Sequence, residues 1–203
     1  NGDVTINGQP CFRGMLVRPY QGIWSIDAEM DLDAVPSGAV VLNLMGREFR
    51  GTVAHEPNDA AQVLAGDSGG IKHLRIVAGA GGLQTRAQPK SYDQGALVGQ
   101  VLADLLTLGG ETQAADIDPQ LLAKVLPQWS WTAGPIMGAL QQLAAAAGAI
   151  VRAKDDGTIW IGAANPQQIT APELVLLDIA PEAGHAVYGL DNSSLDVDQI
   201  IDG

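Results

Sequence analysis

Two short segments carry the residue types of hydrolytic chemistry. Ser68 lies in Gly66-Asp67-Ser68-Gly69-Gly70, and His55 ends Thr52-Val53-Ala54-His55. A serine hydroxyl becomes a nucleophile when an imidazole takes its proton and a carboxylate holds that imidazole in the correct tautomer. Asp59 is the acid between them apart from Glu56 and Asp67. Asp27, Glu29, Asp31 and Asp33 occupy alternate positions and are of the type that binds divalent cations. His55, His73 and His185 are zinc ligands by type. Trp129, Trp131 and Trp160 offer flat faces on which a sugar or a base can stack. Gly79-Ala80-Gly81-Gly82 is a glycine-rich loop of the kind that cradles phosphate.

Spacing decides against most of these. The serine and histidine segments resemble those of chymotrypsin-like proteases, whose triad is spread along a much longer stretch of chain. Here 13 positions separate His55 from Ser68, which leaves no room for a second barrel or a specificity pocket. Gly66 to Gly70 therefore reads as a flexible turn, and a small hydrolase using Ser68 and His55 is kept as the alternative from another class. The four acids fall on an extended strand, where side chains on one face stand ~7 Å apart, whereas a calcium loop needs carboxylates converging from a tight turn. They read as a wet face paired with Arg13, Arg18, Arg47 or Arg50. No histidine stands in an H-x-x-x-H or H-E-x-x-H context. The glycine loop fails as a dinucleotide fingerprint because its third glycine position holds Gln84 and Pro89 interrupts the next helix. It reads instead as a loop that changes direction between domains. The tryptophans sit among apolar neighbours and read as core or interface anchors, with a binding module built on Trp129 and Trp131 as a further alternative. No catalytic, cofactor-binding or metal residue is assigned, and no cofactor is expected.

Composition narrows the partners. The 203 residues are 46% hydrophobic and 17% charged, which suits a soluble globular chain. No apolar run reaches the ~18 residues of a membrane span, so no membrane insertion is expected. The single cysteine, Cys11, excludes an internal disulfide. The net charge is -12 and is unevenly spread. Residues 1 to 90 carry eight basic and nine acidic groups, while the rest carries Lys124, Arg152 and Lys154 against fourteen acids. From Glu173 onward there are seven acids and no lysine or arginine. Phosphate binding needs neutralising cations, so sequence-specific nucleic-acid recognition is disfavoured.

The elements that must position these residues follow two periods. Val4 to Ile6 and Cys11 to Val17 flank Asn7-Gly8, a type I′ hairpin signal. From Ile23 to Asp33, Trp24, Ile26, Ala28, Met30 and Leu32 alternate with polar residues. Ala39 to Met45 and Glu48 to Ala54 flank Gly46-Arg47, which suits a type II′ turn, and Ile71 to Ala78 adds another strand. So many short strands predict a small antiparallel barrel over residues 1–88. The period then becomes helical. Leu97, Val98, Val101, Leu102, Leu105 and Leu108 form one stripe, with Ser91 or Asp93 as cap and Gly109 at the end. Asp118-Pro119 starts a second helix that Pro127 stops, and a third begins near Thr132 and Pro135, packs Ile136, Met137, Leu140, Leu143 and Ala147, and ends at Gly148. Ile150 to Asp155 and Thr158 to Gly162 flank Asp156-Gly157, another type I′ signal. Residues 89–165 are thus an α+β domain of three helices and a hairpin. Residues 166–203, with strands at Leu174 to Ile179 and Ala186 to Leu190, form an acidic β segment that returns to the barrel or leads to a further domain.

The order of these elements resembles a known family. Arg50-Gly51-Thr52-Val53 closes a strand pair, and a Tyr92-led helix ends in Leu105-Leu106-Thr107-Leu108-Gly109-Gly110. Ala139-Leu140-Gln141-Gln142-Leu143-Ala144 runs into Gly148-Ala149-Ile150-Val151, followed by the hairpin Asp155 to Ile161 and the strand Glu173 to Leu177. Over residues 1–190 this is similar to the baseplate hub proteins of phage Mu-like tails and of the P2 late-control family. The resemblance implies a virion structural protein at the tail tip, with a tail-tube-like barrel, and no enzyme. It implies a homotrimeric ring between the tail tube or distal tail protein above and the spike or central fibre below, with DNA passing transiently through the lumen. Family members run longer than this sequence, which then reads as a piece or as a short relative. A hexameric distal tail protein is the alternative within the same class.

Overall fold

The computed structural model describes residues 4–32, 36–54, 70–92, 95–163 and 173–178. The first region is built from β1 (Val4–Ile6), β2 (Gln9–Pro10), β3 (Arg13–Arg18), β4 (Ser25–Leu32), β5 (Ala39–Leu44), β6 (Arg47–Val53) and β7 (Gly70–Ala78). Alternation dictates which face is core. Trp24, Ile26, Ala28 and Met30 are buried while Asp27 and Asp31 are exposed, as the pattern predicts. Asn7 and Gly8 both take positive φ, 50° and 79°, which makes the expected type I′ turn between β1 and β2.

Two hairpin expectations are corrected. Cys11 to Val17 is not the partner of β1. Contact with β1 ends at Cys11, whose N donates to Val4 O at 3.0 Å; the next residue, Phe12, donates its N–H to Glu29 O at 3.0 Å, and β3 pairs with β4 instead. The β5–β6 turn is centred on Met45-Gly46, not Gly46-Arg47. Both residues have positive φ, 52° and 87°, so it is type I′ and not II′, with Asn43 Oδ1 accepting from Gly46 N at 2.9 Å.

After a single 3₁₀ turn, Gly82–Gln84, the chain forms short strands β8 (Arg86–Ala87), β9 (Lys90–Tyr92) and β10 (Ala96–Leu97), then α1 (Val98–Gly109) and α2 (Pro119–Leu122). Strands β11 (Val125–Leu126), β12 (Trp129–Trp131) and β13 (Gly134–Pro135) lead to α3 (Ile136–Ala147). These pair β10 with β11, β9 with β12 and β8 with β13. The hairpin β14 (Ile150–Ala153) and β15 (Ile159–Gly162) follows, and β16 (Glu173–Asp178) lies along β3 with all six residues in register. The main sheet runs β16-β3-β4-β7-β6-β5-β1-β2, antiparallel throughout. It is a curled half-barrel, with β16 and β2 at its edges.

Helix ends depart from expectation for identifiable reasons. Helix α1 buries Val98, Val101, Leu102, Leu105 and Leu106, whereas Leu97 and Leu108 of the predicted stripe are exposed. No side chain caps its start. Ser91 and Tyr92 are held in β9, and Val98 N donates to the backbone oxygen of Lys124, just before β11, at 3.0 Å, so a neighbouring segment satisfies an orphan donor. Asp93 lies outside the described residues. At the other end Gly110, not Gly109, is left-handed. Asp118 caps α2 as predicted, accepting from Gln120 N at 2.8 Å. That helix ends well before Pro127, because Val125 and Leu126 are drawn into the ladder with β10. Helix α3 buries the predicted residues and ends at left-handed Gly148. The β14–β15 turn is a three-residue one, with Gly157 alone at positive φ and Lys154 N donating to Thr158 O at 2.8 Å. One buried cluster runs through the whole, from Trp24 and Phe49 to Leu102, Leu140 and Ile161.

Candidate functional site

Where β7 meets the helical region, Gly79 and Gly81 adopt left-handed φ of 72° and 81°. Left-handed glycines in close succession turn backbone N–H groups to one side and create an anion cradle. The anion is supplied by the chain itself. Glu111 Oε2 accepts from Ala80 N and Oε1 from Gly82 N, each at 2.8 Å. Glu111 is the buried charged residue among those described. It is placed there by the end of α1, since Gly110 reverses the chain and Glu111 N donates to Leu106 O at 2.9 Å. Hydrogen bonds to an ionised acceptor are about twice as strong as neutral ones, which offsets the loss of water around the carboxylate.

Glycine is required at this joint for space as well as for conformation. A Cβ on Gly82 would lie 1.7 Å from Gly109 O, and one on Gly79 would lie 2.3 Å from Glu111 Oε2. A Cβ on Gly157 would stand 2.7 Å from Arg50 O. The sheet, the end of α1 and the β14–β15 turn therefore meet backbone to backbone.

A second lock lies beside the first. Asp155 Oδ1 accepts from Arg18 Nη2 and Oδ2 from Arg47 Nε, both at 2.7 Å. The two guanidinium groups stand 5.6 and 5.1 Å from the Phe49 ring, which packs edge-on against Trp24 at 5.5 Å. Trp24 Nε1 donates to Lys154 O at 3.0 Å, and Arg50 N to Asp155 O at 2.7 Å. The turn of one hairpin is thus fixed to β3, to β6 and to Trp24 just before β4. Lys154 Nζ in turn meets Asp116 Oδ2 at 3.0 Å, which holds that exposed carboxyl below its ordinary range.

The third cluster is aromatic. Tyr92, Trp129 and Trp131 lie within 5.6 to 6.5 Å of one another. Trp129 and Trp131 are buried, and Trp131 Nε1 donates to Gln88 O at 2.6 Å, so these two are anchors and not an open stacking platform. Asp104 of α1 accepts from both Lys90 Nζ and Tyr92 Oη. These hydrogen bonds, Lys90's first, hold the Asp104 carboxyl below the usual carboxylate range, and Asp104 raises Lys90. Trp160 stands apart, with Arg152 4.6 Å from its ring.

No family model matches this sequence, and no curated protein matches it. Solved structures do. A tail protein from Neisseria meningitidis aligns with a TM-score of 0.57 at 16% identity, over 82% of this chain and 52% of that one. A tail protein of prophage MuSo2 from Shewanella oneidensis aligns with the same TM-score at 10% identity, over 80% of this chain and 55% of that one. The fold is one that phage tail proteins use. At such identities the likeness is one of fold, and this chain spans about half the length of either tail protein.

Against that tail-protein fold the predicted residues separate clearly. His55, Asp59 and Ser68 lie outside the described residues, as do Asp33 and His185. The acids of β4 meet partners from β7, Asp27 with Arg75 at 4.0 Å and Glu29 with His73 at 3.6 Å. Of the arginines expected there, Arg18 and Arg47 close on Asp155, and Arg50 stands 3.8 Å from Glu48. Arg13 faces Glu29 in register. Among the described residues no group of three or more His, Cys, Asp or Glu is placed to hold a metal ion. Burial pushes the Cys11 thiol up to about 11, and its Sγ donates to Arg13 O at 3.1 Å, so it is a packed thiol and not a nucleophile. Glu111 and Asp155 were not singled out by sequence reasoning. For Glu111 a signal existed: an acid directly after a helix end opposes the macrodipole and must find donors elsewhere, here in the four-residue glycine-rich loop.

Proposed function

We propose that this chain is a structural subunit of a phage tail, and within it a baseplate hub protein that joins the tail tube to the spike or central fibre. The observation that carries the reading is the fold likeness to two tail proteins over about four-fifths of the chain. The curled sheet, whose edge strands β16 and β2 pair with no further strand among the described residues, and the locked joint support it. A sheet edge invites completion by a neighbour, and a ring under mechanical stress needs its parts held together without a flexible linker. In this proposal residues 1–88 are the tube-like barrel module and residues 89–165 the second module. Three copies form the ring, the virion tail tip is the location, and the chain is not an enzyme. The acids of residues 91–203 partly line the passage so that DNA slides without being bound.

The test is electron microscopy of tail particles with this subunit located, combined with the mass of the assembled ring. Three copies between tube and spike are expected. Six copies one layer higher would transfer the chain to a distal tail role, and absence from the particle would end the proposal.

A further inference from the structure

The Asn7-Gly8 turn puts two potentially reactive groups next to each other. A main-chain nitrogen can attack the side-chain amide carbon of an asparagine just before it, and the approach is least hindered when the attacking residue is glycine, which has no Cβ. Among the described residues the Asn-Gly and Asp-Gly steps are Asn7-Gly8 and Asp156-Gly157, and the structure separates them. Asp156 is a carboxylate that accepts from Thr158 N at 2.9 Å, and Gly157 N is engaged with Lys154 O at 3.0 Å. An ionised carboxyl is a poor electrophile, and that nitrogen is not free to attack it. Asn7 is a neutral amide, and both Asn7 and Gly8 are exposed.

The turn holds Asn7 back. Closure of a five-membered ring needs Gly8 N to swing to the Cβ side of the Asn7 Cα–C bond. In a type I′ turn the first central residue has ψ of about +30°, which leaves that nitrogen about 150° from Cβ around the same bond. Asn7 at φ 50° and Gly8 at φ 79° make this turn. Two bonds to β5 keep it in place: Asn7 N donates to Val41 O at 2.8 Å, and Asn7 Oδ1 accepts from Val41 N at 2.9 Å. The support is shallow, because β2 is two residues long and lies at the edge of the main sheet. Short edge elements open locally far more often than the whole fold does.

We propose that Asn7 is a deamidation site that the turn keeps unreactive and that opening of the β1–β2 edge releases. In the open form Gly8 N bonds to Asn7 Cγ, the side-chain NH₂ leaves with the Gly8 proton as ammonia, and a cyclic imide remains. Water then opens the ring. Attack at Cγ gives aspartate in an unchanged backbone, which still offers Val41 N an oxygen and suits the same turn. Attack at the main-chain carbonyl carbon gives isoaspartate, whose peptide link runs through Cγ and is one carbon longer. The oxygen that accepted from Val41 N is then a peptide carbonyl, so the turn and that bond cannot both re-form. Isoaspartate thus makes the opening of this edge permanent.

Peptide mapping of the full chain, aged at neutral pH, tests this against a synthetic peptide of residues 4–12. Fragmentation locates the change, since Asn1-Gly2 falls in the same tryptic peptide. Asn7 in the native chain is expected to convert at least tenfold more slowly than in the peptide, with the gap closing in urea. Equal rates in native chain and peptide, or a gap that survives unfolding, would overturn the restraint by the turn. The aged chain is then separated into its two products and compared with an Asn7→Asp variant by amide hydrogen exchange. The variant is expected to keep Val41 N protected and the isoaspartate form to lose that protection. Protection retained in the isoaspartate form would show that the edge closes regardless and would overturn the permanent opening.

Discussion

Replacing Glu111 with alanine isolates the joint between sheet and helices. The substitution removes an acceptor from Ala80 N and Gly82 N, both bonded at 2.8 Å. Each donor left unpaired in a buried site costs about 1–3 kcal/mol. Against this stands the relief of no longer burying a carboxylate, and the 9% residual exposure of Glu111 lets water reach part of the gap. Ala80 is exposed and Gly82 half-buried, so water replaces part of each bond, and the low end of the range for both donors gives a loss of about 2 kcal/mol. For a chain of this size about 1 kcal/mol moves Tm by ~2–4 °C, so Glu111→Ala should melt roughly 4–8 °C lower. Glu111→Gln keeps one acceptor oxygen and turns an NH₂ group toward the other donor, so it should fall between. Calorimetry measures the loss, and amide hydrogen exchange places it: Ala80 and Gly82 should lose protection more than amides within α3. A melting point unchanged within about 1 °C, with both amides still protected, would show that the carboxylate holds nothing.

Three further outcomes follow from the geometry. Gly82→Ala should be among the most damaging small changes, at about 3 kcal/mol or more, because its Cβ meets backbone oxygen at 1.7 Å, whereas Gly138→Ala inside α3 meets nothing within 4 Å and should stabilise by about 0.5–1 kcal/mol; paired denaturant titrations compare them. Asp155→Ala should cost about 1–2 kcal/mol after discounting for the exposure of Arg47, and the deficit should shrink when unfolding is repeated at high salt. The Asp104 and Asp156 carboxyls are held below their ordinary range, by Lys90 foremost and by Thr158 foremost respectively. Their contribution is therefore present above the unfolded carboxylate pKa of about 4 and is lost as pH falls through the lower folded value; Asp104→Asn should flatten that acid limb, and an unchanged limb would refute the assignment.

Local chemistry was legible in the sequence and long-range closure was not. Asn7-Gly8, Asp118-Pro119 and Gly148 each specify a turn or cap through their own backbone preferences, and each stands where expected. Where two glycines adjoin, as at Gly109 and Gly110, or where a single glycine fits either central turn position, as at Gly46, the expectation slips by one residue. Such glycines are locally equivalent, and only the surrounding ladder chooses. The inward side of Trp129 and Trp131 followed from their apolar setting. Glu111 reaches a loop about 30 positions back, and Asp155 reaches Arg18 from 137 positions away, a separation across which residue spacing carries no signal. The placement of β16 along β3 is of the same kind, since an apolar run specifies a strand and not its neighbour.

The locks also redistribute the meaning of the acidic half. Asp104, Glu111, Asp116 and Asp155 each accept a hydrogen bond from a distant part of the chain, and Asp118 and Asp156 each accept one within their own cap or turn, so six of its fourteen acids are already engaged in the fold. Asp104, Asp116 and Asp155 are paired with lysine or arginine, and a carboxylate so neutralised does little to repel a passing phosphate. If the proposed passage is acidic, its repulsion must come mainly from residues 173–203, where seven acids stand without one lysine or arginine. Replacing Asp191, Asp196, Asp198 and Asp202 by lysine should then make assembled rings retain DNA at low salt, with retention falling steeply as salt is raised. Converting Asp104 and Asp116, which are paired with Lys90 and Lys154, to asparagine should weaken the fold and leave DNA retention near its starting level. Equal retention from the two sets would mean that the repulsive wall is not where the charge count puts it.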